Sequence, residues 1–290
     1  MNQLVEATLA SLLDRIENHH GSWIKDWVGG GRPVNAVTRK GYSGVNVLLL
    51  WAAKEAAAHS SQEWATYKQW QSVGSQVRQG ERSSIIFIRK DAVKKGGDKD
   101  NPEDHYRLLK CAFVFNADQL VDPPARPPTA SEADRVDRAE RLVAACGPVV
   151  NEASDPAYFP LVDAIAMPPI GAFLSATAYY GTLMHEMVHW TGHKSRLDRG
   201  LKGGSKSTAD EYAREELVAE MGAAFLCAEL GMDYGDSNAA YLRSWLGRID
   251  KAERGRALMQ AASAGTKAYD FIVKHEGTRD AVLQEVREVA

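Results

Sequence analysis

Apolar residues in the first twenty positions recur at intervals of three and four (Val5, Leu9, Leu12, Ile16), which predicts an amphipathic helix over about residues 2–20. A denser apolar run predicts a second helix over about 47–58. Ser60 and Glu63 have the spacing of a capping box for a third helix that displays Trp64, Tyr67 and Trp70 and stops near Gly74. Residues 83–90 and 105–116 then alternate, or run apolar, with β-branched and aromatic side chains. That pattern predicts a β-hairpin, with Lys94-Lys95-Gly96-Gly97-Asp98 in its loop.

The pattern breaks at Val121-Asp122-Pro123-Pro124-Ala125-Arg126-Pro127-Pro128, where four prolines in six residues can continue neither a helix nor a central strand. We therefore expect a domain over 1–122, a semi-rigid linker over 123–135 and a second domain over 136–290. A helix is expected after Ser131, with Glu132 and Asp134 in its first turn. Residues 163–167, closed by Pro168 and Pro169, read as a short strand at a sheet edge, suited to an extended ligand. Two further helices are expected, over about 175–191 with Gly192 as the stop, and over 209–230. The fold class is α+β in two domains.

Composition narrows the function. No apolar run approaches the roughly 20 residues that cross a bilayer, so no membrane partner is expected. The N-terminus has no basic start followed by an apolar stretch, and the three cysteines form no CxxC pair, so the expected location is cytoplasmic. The net charge of -3 conceals a split. Residues 1–122 carry sixteen Lys and Arg against fourteen Asp and Glu, whereas the remainder carries nineteen against twenty-four.

The second domain contains His185-Glu186-Met187-Val188-His189. Two histidines four apart on a helix project from one face and can grip one metal ion, with Glu186 placed to deprotonate a metal-bound water. The downstream helix carries Glu216 and Glu220 on a shared face. Glu216 is our choice for third ligand, with Glu220 hydrogen-bonding a ligand histidine; Glu220 itself and His193 remain rival ligands. Without the histidine pair, these carboxylates would read as a solvated helix face. Such a shell takes one divalent ion, zinc most readily, and tolerates manganese or cobalt.

In the first domain, seven basic residues against two acids lie between Lys68 and Lys95, and five of the seven tryptophans of the chain lie in the domain. Cations that track phosphates and rings that stack on unpaired bases are the two requirements of a single-strand binder. The Trp-x-x-Tyr-x-x-Trp spacing also fits a core-facing helix. Tyr42, in a glycine-flanked loop beside Arg39 and Lys40, is the aromatic expected to be exposed.

These residues carry a resemblance. Asn35, Thr38 and Gly41-Tyr42-Ser43-Gly44-Val45-Asn46, followed by Trp64-Ala65-Thr66-Tyr67-Lys68-Gln69-Trp70 and Gly74-Ser75-Gln76-Val77-Arg78-Gln79-Gly80-Glu81-Arg82, resemble the N-terminal domain of ArdC-type antirestriction proteins and related plasmid primases. Residues 163–168 and 179–193, with Arg196 and Leu197, resemble the metallopeptidase-like domain of the same proteins. The resemblance implies a plasmid-borne protein whose first domain binds single-stranded DNA and whose second has a zincin fold related to SprT-like peptidases. It implies protection of conjugatively entering DNA from host restriction, with His185 and His189 as ligands, Glu186 as general base and Glu216 as third ligand. The expected DNA contacts are Arg32, Asn35, Arg39, Tyr42, Asn46, Lys68, Arg78, Arg82 and Arg89. Besides DNA, a restriction enzyme or another DNA-bound protein is a candidate partner. The competing readings are a DNA-directed metallopeptidase and a conjugation or priming accessory protein.

Overall fold

The structure, a computed structural model, describes residues 3–18, 31–93, 101, 105–124, 130–202, 207–232 and 237–289. Trp23, Trp27, the 94–98 loop and Pro127 and Pro128 lie outside the described residues. The chain divides into two compact units, with the division between Arg126 and Pro127; Gly31 and Arg32 belong with the second. Among the described residues, no helix is long and apolar enough to cross a membrane.

In the first unit, α1 (Gln3–Asn18) turns Val5, Leu9, Leu12 and Ile16 inward, as its spacing dictates. Helix α2 (Val45–Ala56) buries seven of its first eight residues, the expected outcome for a run that is apolar on every side. Four strands follow the order β1-β2-β4-β3, with β1 at Val34–Asn35, β2 at Glu63–Ala65, β3 at Ser84–Val93 and β4 at His105–Asn116. The expected hairpin is present and runs in continuous antiparallel register from Ser84 opposite Val114 to Val93 opposite His105.

The third helix departs from expectation. Residues 63–65 form a strand that pairs with Val34 and Asn35 on one side and with Phe115 and Asn116 on the other. Ser60 caps nothing; its N–H and hydroxyl donate instead to Asp118. Helix α3 is only Tyr67–Ser72, held by a reciprocal box between Thr66 and Gln69. Trp64 and Trp70 thus lie on different elements. Trp64 packs with Leu50, Ile86 and Val114 on the face covered by α2, and Trp70 packs with Ala65, Val77 and Leu120 on the other. The outer edge of β3 is met at Phe87 by the Asn46 side-chain amide, which donates to the Phe87 carbonyl at 2.7 Å and accepts from its N–H at 2.7 Å.

In the second unit, α4 (Glu132–Cys146) starts at a Ser131–Asp134 capping box and ends at Gly147 in the left-handed region, φ 65°. Strands β5 (Val149–Glu152), β6 (Ala157–Phe159) and β7 (Ala164–Met167) form a sheet ordered β5-β7-β6, parallel between β5 and β7 and antiparallel between β6 and β7. The strand expected at the sheet edge is therefore central. Its four residues are all buried, consistent with a strand paired on both sides. The edges belong to β5 and β6.

Helices α5 (Ala176–Thr191), α6 (Ala209–Leu230), α7 (Ser237–Gly247) and α8 (Arg254–Val289) follow in the same unit. Ser175 caps α5 and a Thr208–Glu211 box opens α6, so both helices begin where local chemistry satisfies their first N–H groups. Helix α6 is buried along most of its length and packs against α5 and α8. Two glycines permit that approach: a Cβ at Gly222 would lie 2.6 Å from Val188 of α5, and one at Gly265 of α8 would lie 2.8 Å from the Gly222 backbone nitrogen. Arg138 of α4 ties the ends together, donating to the Glu229 carbonyl and carboxylate and to Glu276 at 2.9 to 3.1 Å.

Gly265→Val should destabilise the second unit by about 2 kcal/mol, since a branched side chain driven against backbone forces the helices apart. Thermal melting checks this, and an unchanged transition would show that α6 and α8 need no such contact.

Candidate functional site

Helix α5 presents His185 and His189 on one face with ring centroids 4.9 Å apart, and α6 delivers Glu216 to them. The Glu216 carboxylate lies 3.4 Å from His185 Nε2 and 3.7 Å from His189 Nε2. Two ligand bonds of about 2.0–2.1 Å at a tetrahedral angle place their donor atoms about 3.4 Å apart, so these three groups fit a single small divalent ion. They are the one cluster of this kind among the described residues.

The other imidazole nitrogens are turned away from this point towards carboxylates. His189 Nδ1 lies 3.0 Å from Glu215 Oε1, and His185 Nδ1 lies 3.7 Å from Glu220 Oε1. A carboxylate behind each histidine fixes the tautomer that leaves Nε2 free to bind. Glu220 is thus placed beside His185 rather than among the three donors. Burial alone would lower the His189 imidazole, but the Glu215 hydrogen bond and the charges of Glu215, Glu216 and Glu186 outweigh it and hold it up at about 9. Burial likewise works to raise Glu216, yet the hydrogen bond from His185 and the charges of both histidines bring it below its ordinary range.

Sequence reasoning gave Glu215 no role, and it also missed Arg199 and Tyr212. Arg199 donates to both Glu215 oxygens at 2.7 and 3.0 Å, to Thr191 Oγ1 at 2.8 Å and to the Val188 carbonyl at 2.7 Å. It thereby locks the carboxylate behind His189 to the end of α5. The adjacent pair Glu215-Glu216 held the only signal in the sequence, because neighbours on a helix point about 100° apart and can serve a ligand and its support at once. Tyr212, one turn before Glu216, hydrogen-bonds the Glu216 carboxylate, and burial together with that bond raises its phenol. His193 does not join the cluster: its Nδ1 faces Ser195 Oγ at 2.8 Å.

The donors open on a cavity of about 900 Å³, lined among others by Glu186, Tyr212, Arg214, Tyr241 and, from the edge strand β6, Ala157 and Tyr158. The edge strand is held over this cavity by a clasp. Arg196 lies over the Trp190 ring at 3.9 Å and donates to the Trp190 carbonyl and to Asp163, which also accepts from the Tyr158 hydroxyl at 2.9 Å.

In the first unit, most of the polar residues expected to contact DNA are engaged in the fold. Asn35 accepts from the Val37 and Thr38 N–H groups and donates to Tyr42 and Gln69, and Asn46 occupies the edge of β3. Arg39, at φ 58°, pairs with Glu63, and Arg78 pairs with Glu81 and donates to the Leu120 carbonyl at 2.8 Å. Tyr42, expected to be exposed, is half-buried against the Leu50–Trp64 cluster, and burial raises its phenol. The glycine-flanked loop folds back because the Tyr42 hydroxyl accepts from the Asn35 amide and donates to the Trp64 carbonyl of β2, while the Tyr42 N–H donates to the Pro33 carbonyl. Arg32 sits in the second unit, with its guanidinium 4.0 Å from the Tyr269 ring centroid. Lys68, Arg82 and Arg89 are exposed.

Residues 137–264 match the family described as zincin-like metallopeptidase, and residues 2–117 match the N-terminal domain of anti-restriction factor ArdC. The chain is 37% identical to the uncharacterized protein y4eC of Sinorhizobium fredii, over all of this chain and 94% of that protein. It is 32% identical to DNA primase TraC of Escherichia coli over 93% of its own length, but spans only 20% of that protein. The crystal structure of the antirestriction ArdC protein from plasmid R388, in its metal-free form, is similar with a TM-score of 0.76 and 34% identity, covering 96% of this chain and 99% of that one. The Mn(II)-bound form of the R388 protein gives 0.74 at the same identity, covering 95% and 98%.

Glu215→Ala should weaken divalent-metal binding about 10- to 100-fold by releasing both His189 and Arg199. His193→Ala should leave metal content unchanged. Competition titration with a chelating dye separates the two, and an unaltered affinity in Glu215→Ala would remove that residue from the support of His189.

Proposed function

We propose, since this chain belongs to the ArdC family of antirestriction proteins, that it shields plasmid DNA entering a recipient cell by conjugation from host restriction, with its first unit binding the single strand. The observation that carries this reading is that ArdC-type sequence and fold extend over both units, with the three-donor cluster of the second assembled. His185, His189 and Glu216 would hold one divalent ion: zinc suits two imidazoles and a carboxylate, and manganese is the ion in the related R388 structure. Priming is attributed to a far longer relative and is not part of the proposal.

A second reading, peptide hydrolysis, is favoured by one feature: the edge strand β6 borders the cavity beside Glu186, where an extended polypeptide segment has backbone groups to pair with. When bound, a divalent ion in this site polarises a carbonyl and lowers the pKa of a water. The protein's own part would be to align the segment along β6, to accept the water proton on the Glu186 carboxylate and to return it to the departing amine. Tyr212, which lines the cavity, would turn its hydroxyl from Glu216 to donate a hydrogen bond to the carbonyl oxygen as charge develops on it.

Glu186→Gln keeps the shape of the site and removes its base. We expect this variant to retain metal, single-strand binding and protection of transferred DNA. Protection is scored as transfer frequency into a restricting recipient, and its loss with metal and DNA binding intact would make hydrolysis the activity that protects.

A further inference from the structure

Among the described residues of the first unit, the most exposed Phe, Tyr and Trp rings are not Tyr42 but Phe113 and Tyr67. Alternation along β4 puts Phe113 and Phe115 on the same face of the sheet. At Phe115, paired opposite Ala65, that face is covered by α3, whose Trp70 donates its ring N–H to the Phe115 carbonyl at 3.1 Å. Two residues earlier the cover ends. Phe113, paired opposite Ile85, is 50% exposed. Tyr67, the first residue of α3, is 40% exposed and meets Phe115 edge to face at 6.3 Å between centroids. Gln76 donates to its hydroxyl at 3.0 Å and steadies the ring. Core packing accounts for Phe115 and Trp70; it leaves half of Phe113 in water.

Cations surround this strip. Lys68 follows Tyr67 on α3, Arg82 lies two residues before Ser84, which pairs opposite Val114, and Arg89 is on the Phe113 face of β3, four residues beyond Ile85. All three are exposed, and none has an ion-pair partner among the described residues. A surface built to meet an apolar protein partner would gain nothing from three unneutralised charges at its border. A strand of unpaired bases on a phosphodiester backbone needs both parts.

We propose that Phe113 and Tyr67 form the base-stacking platform of the single-stranded DNA site, with Lys68, Arg82 and Arg89 on the phosphates. The proposal rests on the single-strand reading of the first unit and assigns it to the hairpin face rather than to the Asn35–Asn46 loop, where Asn35, Arg39, Tyr42 and Asn46 are engaged in the fold.

The test uses the full-length chain and a labelled thymidine oligonucleotide, with anisotropy followed over a range of salt. Phe113→Ala should weaken binding about ten-fold with the salt slope unchanged, and Phe113→Trp should restore it. Replacing Lys68, Arg82 and Arg89 together by alanine should reduce the slope of log affinity against log salt by about 2. Wild-type affinity in Phe113→Ala overturns the platform while leaving the single-strand reading in place; failure of the unaltered chain to bind strikes that reading and the platform with it. A dimer in sedimentation that Phe113→Ala dissociates would give the face to a second copy of the chain and also overturn the proposal.

Discussion

The second unit is organised by the need to bring a carboxylate on one helix within a few ångströms of two imidazoles on another. His185 and His189 converge through the pitch of α5 alone, but Glu216 arrives from α6, so the donor cluster exists only if the helix axes approach closely. Gly222 and Gly265 allow this by presenting bare backbone where any side chain would meet Val188 or the main chain. The remaining polar residues hold the approach in place. Glu215 and Glu220 orient the imidazoles from behind, and Arg199 fastens Glu215 to the last turn of α5. Glu216 is buried and Glu215 partly so, and either charge would be costly if unpaired, so each carboxylate is matched to a cation or an imidazole.

What was legible in the sequence was local. The ends of α5 and α6 follow from Ser175, Thr208 and the glycines beyond them, and the hairpin follows from alternation, because caps and periodicity act over a few residues. The histidine pair and Glu186 could be read for the same reason. Strand β2 could not: three residues acquire strand geometry only through partners at Val34 and Phe115, distant in sequence, so a plausible capping box at Ser60 pointed to the wrong element. The central place of β7 was hidden in the same way, since pairing on both sides is a property of the sheet.

The polar residues of the first unit show a second limit. Asn35, Asn46, Arg39 and Arg78 have the chemistry that phosphate or base recognition requires, but that chemistry is equally suited to closing turns and satisfying buried backbone. Sequence identifies the donors and acceptors; only the fold identifies which of them are already used. The same accounting, applied to the rings, separates Trp64 and Trp70 in the core from Phe113 and Tyr67 at the surface.

The amide of Asn46 has a bearing on how the protein behaves in a crowded cell. Strand β3 ends its sheet, and such a border is a template on which another chain can add a strand and begin to aggregate. By taking both hydrogen-bonding positions of Phe87, Asn46 interrupts the template near its middle, and an incoming strand would have to break two bonds before making its own. One side chain thereby guards the β3–β4 hairpin against pairing with its own copies.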